Sequence, residues 1–262
     1  DRWILLSDGN DVVDVTQVTT PVPTGFYSAI GLDVETANVK FGILQVLENR
    51  DALRFAGGTC SLSFRARITG TSIGAIRAAV VQWTGTADAV TSDIVSTWGG
   101  AGTNPTLVTS WAFSNTPGAL AAPTTSYQTY TITNVSVGAA ATNVGVFIWI
   151  DDVTTTVGDF LYITGVKLEI GSVETAWDQQ PYAHELQACK RFFEAIRPST
   201  ASNENLALGF TGSGTQGTAM LQYEEKRAAP TFVYSAAATF AWVEGDRTTQ
   251  IPTFDSTNFI GP

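Results

Sequence analysis

Between Cys60 and Ile68 the chain alternates without a break: Leu62, Phe64, Ala66 and Ile68 are apolar, whereas Ser61, Ser63, Arg65 and Arg67 are polar. A period of two is the repeat of an extended strand, whose successive Cβ atoms point to opposite faces. The run predicts a strand with one face on a core and the other in water, as in an antiparallel sandwich. Eight more runs bounded by Gly, Asn, Asp, Ser or Thr carry strand signals: Arg2–Leu6, Asp11–Val18, Ser28–Val34, Lys40–Leu47, Ala75–Thr84, Tyr127–Val137, Asn143–Ile150 and Phe160–Ile170. In Asn143–Ile150, Val144, Val146, Ile148 and Ile150 take one side while Phe147 and Trp149 take the other. A strand apolar on both faces is either central or covered on its second face by a partner. The long stretch between Gly85 and Ser126, rich in Thr, Gly, Ala, Asn and Pro, is either a functional loop or a set of short strands.

Composition supports an all-β fold. The chain has 262 residues, 44% of them hydrophobic, enough to bury one large core and a smaller second one. Only 15% are charged, against the usual quarter. Fourteen Lys and Arg against twenty-four Asp and Glu leave a formal charge of −10, which disfavours nucleic acid and anionic membranes as partners. No apolar run approaches the roughly 20 residues of a membrane helix. The single methionine is Met220, so Asp1 is expected to follow upstream sequence.

A helix is expected over Pro181–Ile196, where Tyr182, Leu186, Cys189, Phe193 and Ile196 recur at helical spacing and Pro198 stops the chain. Beyond it Leu206–Gly212, Thr218–Glu224, Thr231–Tyr234, Phe240–Val243 and Gln250–Phe254 read as short strands. The expected organisation is a jelly-roll β-sandwich over 1–180, a connecting helix over 181–198 and a small β-rich domain over 199–262. Cys60 and Cys189 are expected as separate, buried thiols, with pairing left open.

Residues with catalytic chemistry are sparse. His184, the only histidine, falls in the first turn of the expected helix, and no Gly-x-Ser-x-Gly elbow or zinc spacing is present. The glycine string Gly212–Gly217 lacks a following helix and reads as a hairpin loop rather than a phosphate cradle. Asp151, Asp152 and Asp159 bracket a Thr-rich turn that is either a solvated acidic hairpin or a Ca²⁺ site. Trp and Tyr rings stack on the C–H faces of sugars. Parity puts Arg77, Val81 and Trp83 opposite Ile76, Ala78 and Val80, so Trp83, Trp98 and Trp111, with Arg77, Asp88 and Asp93, are the candidate glycan platform. On so acidic a chain, binding an anionic polysaccharide would require a basic patch, for which Arg65, Arg67 and Arg77 are the candidates.

Leu161–Phe193 reads LYITGVKLEIGSVETAWDQQPYAHELQACKRFF. Its Val166, Leu168, Glu169, Gly171, Ser172, Val173 and Thr175, followed by Pro181, Tyr182, Glu185, Leu186, Cys189, Arg191, Phe192 and Phe193, resemble a segment of phage tail-fibre and virion structural proteins. Asp1-Arg2-Trp3 and the run Glu225 to Thr231 are similar to other parts of that family, and Trp177-Asp178-Gln179-Gln180 departs from it. The resemblance implies a jelly-roll sandwich like a carbohydrate-binding module, a helical neck and a small β tip. It also implies a parallel homotrimer with a role in receptor recognition; with the sparse catalytic inventory and the candidate platform, the expectation is a protein that recognises host glycan without catalysis, in contact with other virion proteins and facing outward on the tail fibre or tail tip. Tyr182, Leu186, Cys189 and Phe193 are then the expected trimer contacts. The alternatives are a carbohydrate-binding module of a secreted hydrolase and a purely structural virion protein.

Overall fold

The computed structural model describes residues 3–151, 154–179, 181–196, 208–213, 216–226, 231, 241–244 and 247–250. They fall into two compact units, Arg2–Gln179 and Gln180–Pro262.

The first unit is an antiparallel sandwich of two five-stranded sheets. Its strands are β1 Trp3–Ser7, β2 Val13–Val18, β3 Ala29–Val34, β4 Phe41–Leu47, β5 Thr59–Ile68, β6 Ile76–Trp83, β7 Val95–Thr97, β8 Thr106–Leu107, β9 Trp111–Phe113, β10 Gln128–Ser136, β11 Asn143–Ile150 and β12 Phe160–Ile170. One sheet runs β1-β4-β11-β6-β9, the other β10-β5-β12-β3-β2. From β9 to β12 the chain changes sheet at every step, the jelly-roll habit of wrapping both layers. The fold is therefore the expected all-β sandwich, and each of the nine expected strands lies within two residues of an observed one. The stretch from Gly85 to Ser126 contains three short strands; β9 extends the first sheet, while β7 and β8 pair with each other.

The alternation of β5 works as it reads. Leu62, Phe64, Ala66 and Ile68 enter the core between the sheets, where they meet Val144, Val146, Ile148 and Ile150 from β11. Each of these side chains other than the small Ala66 contributes roughly 1.5–3 kcal/mol when fully buried. The back of β11 is buried too: Phe147 and Trp149 join Leu44, Ala79, Val81, Trp83, Trp98 and Trp111 in a second core on the outer side of the first sheet. Trp149 faces Gly42 across the β4–β11 ladder. A Cβ on Gly42 would stand 2.6 Å from the Trp149 Cβ, so only glycine admits the indole at this point. The strand apolar on both faces is thus central, and its second face is covered by its own chain.

A single helical turn, α1 Asn49–Ala52, follows β4; in the second unit the helix α2 spans Tyr182–Lys190, shorter than Pro181–Ile196. It closes through a tight bond from Phe192 N to the Cys189 carbonyl at 2.9 Å. Lys226 Nζ then donates to the Lys190 carbonyl at 2.7 Å, a cation on the end of the helix that favours it. Two hairpins follow, β13 Leu208–Ser213 with β14 Gln216–Met220, and β15 Ala241–Glu244 with β16 Arg247–Gln250. Gly212 and Ser213 of the glycine string end β13, and Gln216 and Gly217 begin its antiparallel partner β14; the two residues between them lie outside the described residues. Residues 221–224, expected to continue a strand, lie outside it. The expected strands Thr231–Tyr234 and Gln250–Phe254 lie outside the described residues apart from Thr231 and Gln250. Cys60 is buried and Cys189, contrary to expectation, exposed; both thiols are free.

Candidate functional site

The expected glycan platform turns out to be a core. Trp83, Trp98 and Trp111 are only 8%, 5% and 6% exposed. Trp83 and Trp111 pack with centroids 5.4 Å apart, Trp98 lies 5.9 Å from Phe147, and Phe147 stacks on Trp149 at 4.5 Å. Their polar edges are turned inward as well: Trp83 Nε1 donates to the Thr86 carbonyl at 3.0 Å and Trp111 Nε1 to Thr91 Oγ1 at 3.2 Å. No open ring face remains for a sugar, because the Gly85–Ser126 stretch covers the outer side of the sheet. Parity had separated the two faces of β6 correctly; it could not report what lies on top.

The acids of that set are structural. Asp88 Oδ1 accepts from Asn49 N and Asn143 Nδ2, both at 2.8 Å, and Asp93 Oδ1 accepts from Val95 N at 3.1 Å. Arg77 is 9% exposed and binds Asp151 Oδ2 through Nε at 2.8 Å. Asp151 Oδ1 lies 3.4 Å from Lys40 Nζ, whose side chain is fully buried. The two cations also donate to the covering stretch, Lys40 to the Gly100 and Thr103 carbonyls, Arg77 to Asn104 Oδ1 and to the Gly102 and Pro117 carbonyls. This triad pins the stretch over the second core.

Asp151 is therefore committed to two cations and is not a Ca²⁺ ligand. Asp159 accepts a short bond from Ser72 Oγ, and Asp152 lies outside the described residues. Arg77 is likewise removed from the basic patch, leaving Arg65 and Arg67.

Those two arginines mark a different face. On the outer side of the second sheet, β5 presents Ser63, Arg65 and Arg67, flanked by Thr129 and Thr131 of β10 and by Thr164 and Tyr162 of β12. The Arg67 guanidinium lies 4.3 Å from the Tyr162 ring centroid and 5.5 Å from that of Tyr127, and donates to the Thr125 carbonyl at 3.2 Å. Burial raises the Tyr127 pKa, opposed in part by the hydrogen bond and charge of Arg67. The Arg65 guanidinium lies 4.9 Å over Phe26, and the Phe26 ring meets Trp177 at 5.2 Å, tilted by 36°.

A β-bulge seats Phe26. The β12–β5 register slips between Thr164 and Lys167, where Gly165 takes φ +59°. A Cβ at Gly165 would come within 2.5 Å of the Phe26 ring. Trp177 is brought up by a clasp. After β12 the chain passes Gly171 at φ +124°, and Glu169 then binds Thr175 twice, Oε1 accepting from N at 2.7 Å and Oε2 from Oγ1 at 2.6 Å. Lys167 Nζ closes the set at 3.1 Å from Glu169 Oε2, donating also to the Ala176 carbonyl at 3.1 Å and to Thr175 Oγ1. Burial raises the Glu169 pKa, but the Thr175 and Lys167 bonds outweigh it and hold the carboxyl below its usual value. Glu169, Gly171 and Thr175 are among the residues singled out in the sequence motif; their physical work is to fold the chain after β12 back onto the sheet.

The result is a shallow cleft of about 270 Å³ lined by Phe26, Ser63, Arg65, Thr129, Glu174 and Trp177, among others. Apolar ring faces stand beside a guanidinium, two hydroxyls and a carboxylate, the pairing of stacking surface and directional polar groups that holds a sugar ring. Arg65 was legible as a wet-face residue of β5. Phe26 and Trp177, from a loop and from the segment after the last strand, carried no local signal that would join them to it.

In the second unit Tyr182, Leu186, Cys189 and Phe193 are all exposed, and none of the residues of α2 is buried. Among the described residues no group of three His, Cys, Asp or Glu is placed to hold a metal, and no helix is long and apolar enough to cross a membrane.

No protein family and no curated protein sequence matches this chain. Among solved structures it is similar to the enzymatically active domain of tailspike protein 4 of bacteriophage CBA120, with TM-score 0.41 and 16% identity, over 64% of this chain and 19% of that one. It is similar also to the C-terminal family 22 carbohydrate-binding module of Clostridium thermocellum Xyn10B, with TM-score 0.41 and 14% identity, over 66% and 89% of the two chains. A third is the CBM22-1 xylan-binding domain of Paenibacillus barcinonensis Xyn10C, with TM-score 0.39 and 8% identity, over 65% and 87%. At such scores no ligand and no residue role transfers to this chain.

Proposed function

We propose that this chain is a non-catalytic receptor-binding protein of a virion tail fibre, which attaches to host cell-surface glycan as a homotrimer. The observation that carries the glycan part is the cleft: Phe26 and Trp177 present ring surface beside Arg65, Ser63, Thr129 and Glu174 on an otherwise polar sheet face. Binding rather than cleavage is favoured by the state of the neighbouring acid. A glycosidase uses two carboxyls across the scissile bond, and Glu169 has both oxygens engaged by Thr175 and Lys167.

The trimer and the virion role rest on the motif running into α2, and on that helix's apolar residues. Tyr182 and Leu186 of α2, and Phe193 three residues past its end, are 76%, 39% and 68% exposed in the single chain. Apolar groups repeated at helical spacing and left in water are the surface a symmetry mate would cover. Three shallow sites on one particle bind a multivalent surface far more tightly than one.

The test is glycan-array and whole-cell binding by the intact chain, with its solution mass from light scattering. Retention on cells, loss on Trp177→Ala, and a mass near three chains are expected. A monomer that still binds glycan would leave the second reading, a carbohydrate-binding module of a secreted hydrolase. That reading is favoured by one observation: every residue lining the cleft belongs to the unit Arg2–Gln179.

A further inference from the structure

We infer that the cleft selects an acidic sugar, one whose ring bears a carboxylate that Arg65 receives. The inference rests on the glycan reading of this cleft. Among the described residues no hydrogen bond or ion pair engages Arg65; its one contact of note is the Phe26 ring beneath it. The neighbouring cations are occupied, Arg67 by the Thr125 carbonyl and two tyrosine rings, Lys167 by Glu169, Thr175 and Ala176. Arg65 alone reaches the cleft with its donors unused. A guanidinium has five N–H groups in a planar fork that matches a carboxylate with two parallel bonds. The Phe26 ring holds that fork in one plane, so little freedom remains to be lost on binding.

Charge points the same way. The chain carries −10, a field that repels anionic polymers. With the Lys167–Glu169 pair internally balanced, Arg65 and Arg67 stand on this face of an acidic protein, and Glu174 is the carboxylate that lines the cleft beside them. A neutral sugar would gain stacking on Phe26 and Trp177 and hydroxyl bonds to Ser63, Thr129 and Glu174, but would use nothing of Arg65 that water does not. A carboxylated ring uses all of these groups together.

Binding of the intact chain should be compared within pairs that share a backbone and differ in the acid: polygalacturonate and its methyl ester, hyaluronate and its methyl ester, sialyllactose and its methyl ester. The acid member of at least one pair is expected to bind tenfold or more tightly, with the preference shrinking as salt rises from 0.05 to 0.5 M. Arg65→Gln should abolish the preference and Arg65→Lys retain part of it, with melting temperatures unchanged, while Trp177→Ala should weaken both members alike. Equal binding of acid and neutral members, or tighter binding of a phosphodiester-linked glycan than of any carboxylated one, overturns the inference and leaves the glycan reading standing. Binding to no glycan and to no cell surface overturns both.

Discussion

Asp151→Asn is expected to be among the most damaging isosteric substitutions in the sandwich. The Asp151 carboxylate lies 2.8 Å from Arg77 Nε and 3.4 Å from Lys40 Nζ, and the three side chains are 6%, 10% and 0% exposed respectively. At an effective dielectric near 20 these contacts correspond to about 6 and about 5 kcal/mol of attraction. Desolvation and the repulsion between the two cations offset much of that, and breaking a buried pair by removing one partner costs about 3–5 kcal/mol. For a chain of this size that becomes a fall of roughly 6–20 °C in melting temperature. Lys40 and Arg77 also hold the Gly100, Gly102, Thr103 and Pro117 carbonyls, so amide exchange should accelerate between Gly99 and Gly118 before the sheets open. The exposed Asp178→Asn serves as the control and should change stability by about 0.5 kcal/mol or less. An Asp151→Asn melt within 2 °C of the parent, with unchanged exchange in the covering stretch, would mean that the triad does not pin that stretch.

Four further outcomes rest on particular residues. Gly165→Ala forces an L side chain into φ +59° and drives its Cβ into the Phe26 ring; a loss of about 1–2 kcal/mol is expected by urea denaturation, with weakened glycan binding. Burial raises the Cys60 thiol to about 11, so at pH 8 a thiol reagent should label Cys189 in the native protein and Cys60 only after unfolding. Since the folded value exceeds the unfolded one, the stability tied to Cys60 is complete at neutral pH and disappears as pH rises towards 11. The Lys226 bond, with lesser help from Glu224 N and Lys190, holds the Glu194 carboxyl below its usual value. That tie is present at neutral pH and is lost as pH falls below the ordinary value of about 4.3; limited proteolysis after residue 190 should then speed up, and Lys226→Ala should reproduce the effect at pH 7.

Most of the sandwich was readable in the sequence because strand sites are declared locally. The period-two pattern of β5 alone separates Phe64 from Arg65, and the doubly apolar β11 marks the centre of a sheet. The motif after β12 was readable as a pattern but not as a device: Glu169 and Thr175 stand six residues apart, and only their fold-back shows that one clasps the other. The tryptophans misled for a related reason. Trp83 does stand on the outer side of β6, yet a ring faces sugar or core depending on what covers it, and the cover is a long segment pinned by Lys40, Arg77 and Asp151.

By itself, then, the sequence determined the nine longer strands of the sandwich, the apolar face of a strand such as β5, and the all-β class, since those follow from the spacing of neighbours along one chain. Tertiary structure alone decided which aromatic faces stay open. Phe26, Arg65 and Trp177 are brought together by a bulge and a clasp, and Trp83, Trp98 and Trp111 are closed off by a strap. Burial depends on chain segments far apart in sequence, and no local period encodes it.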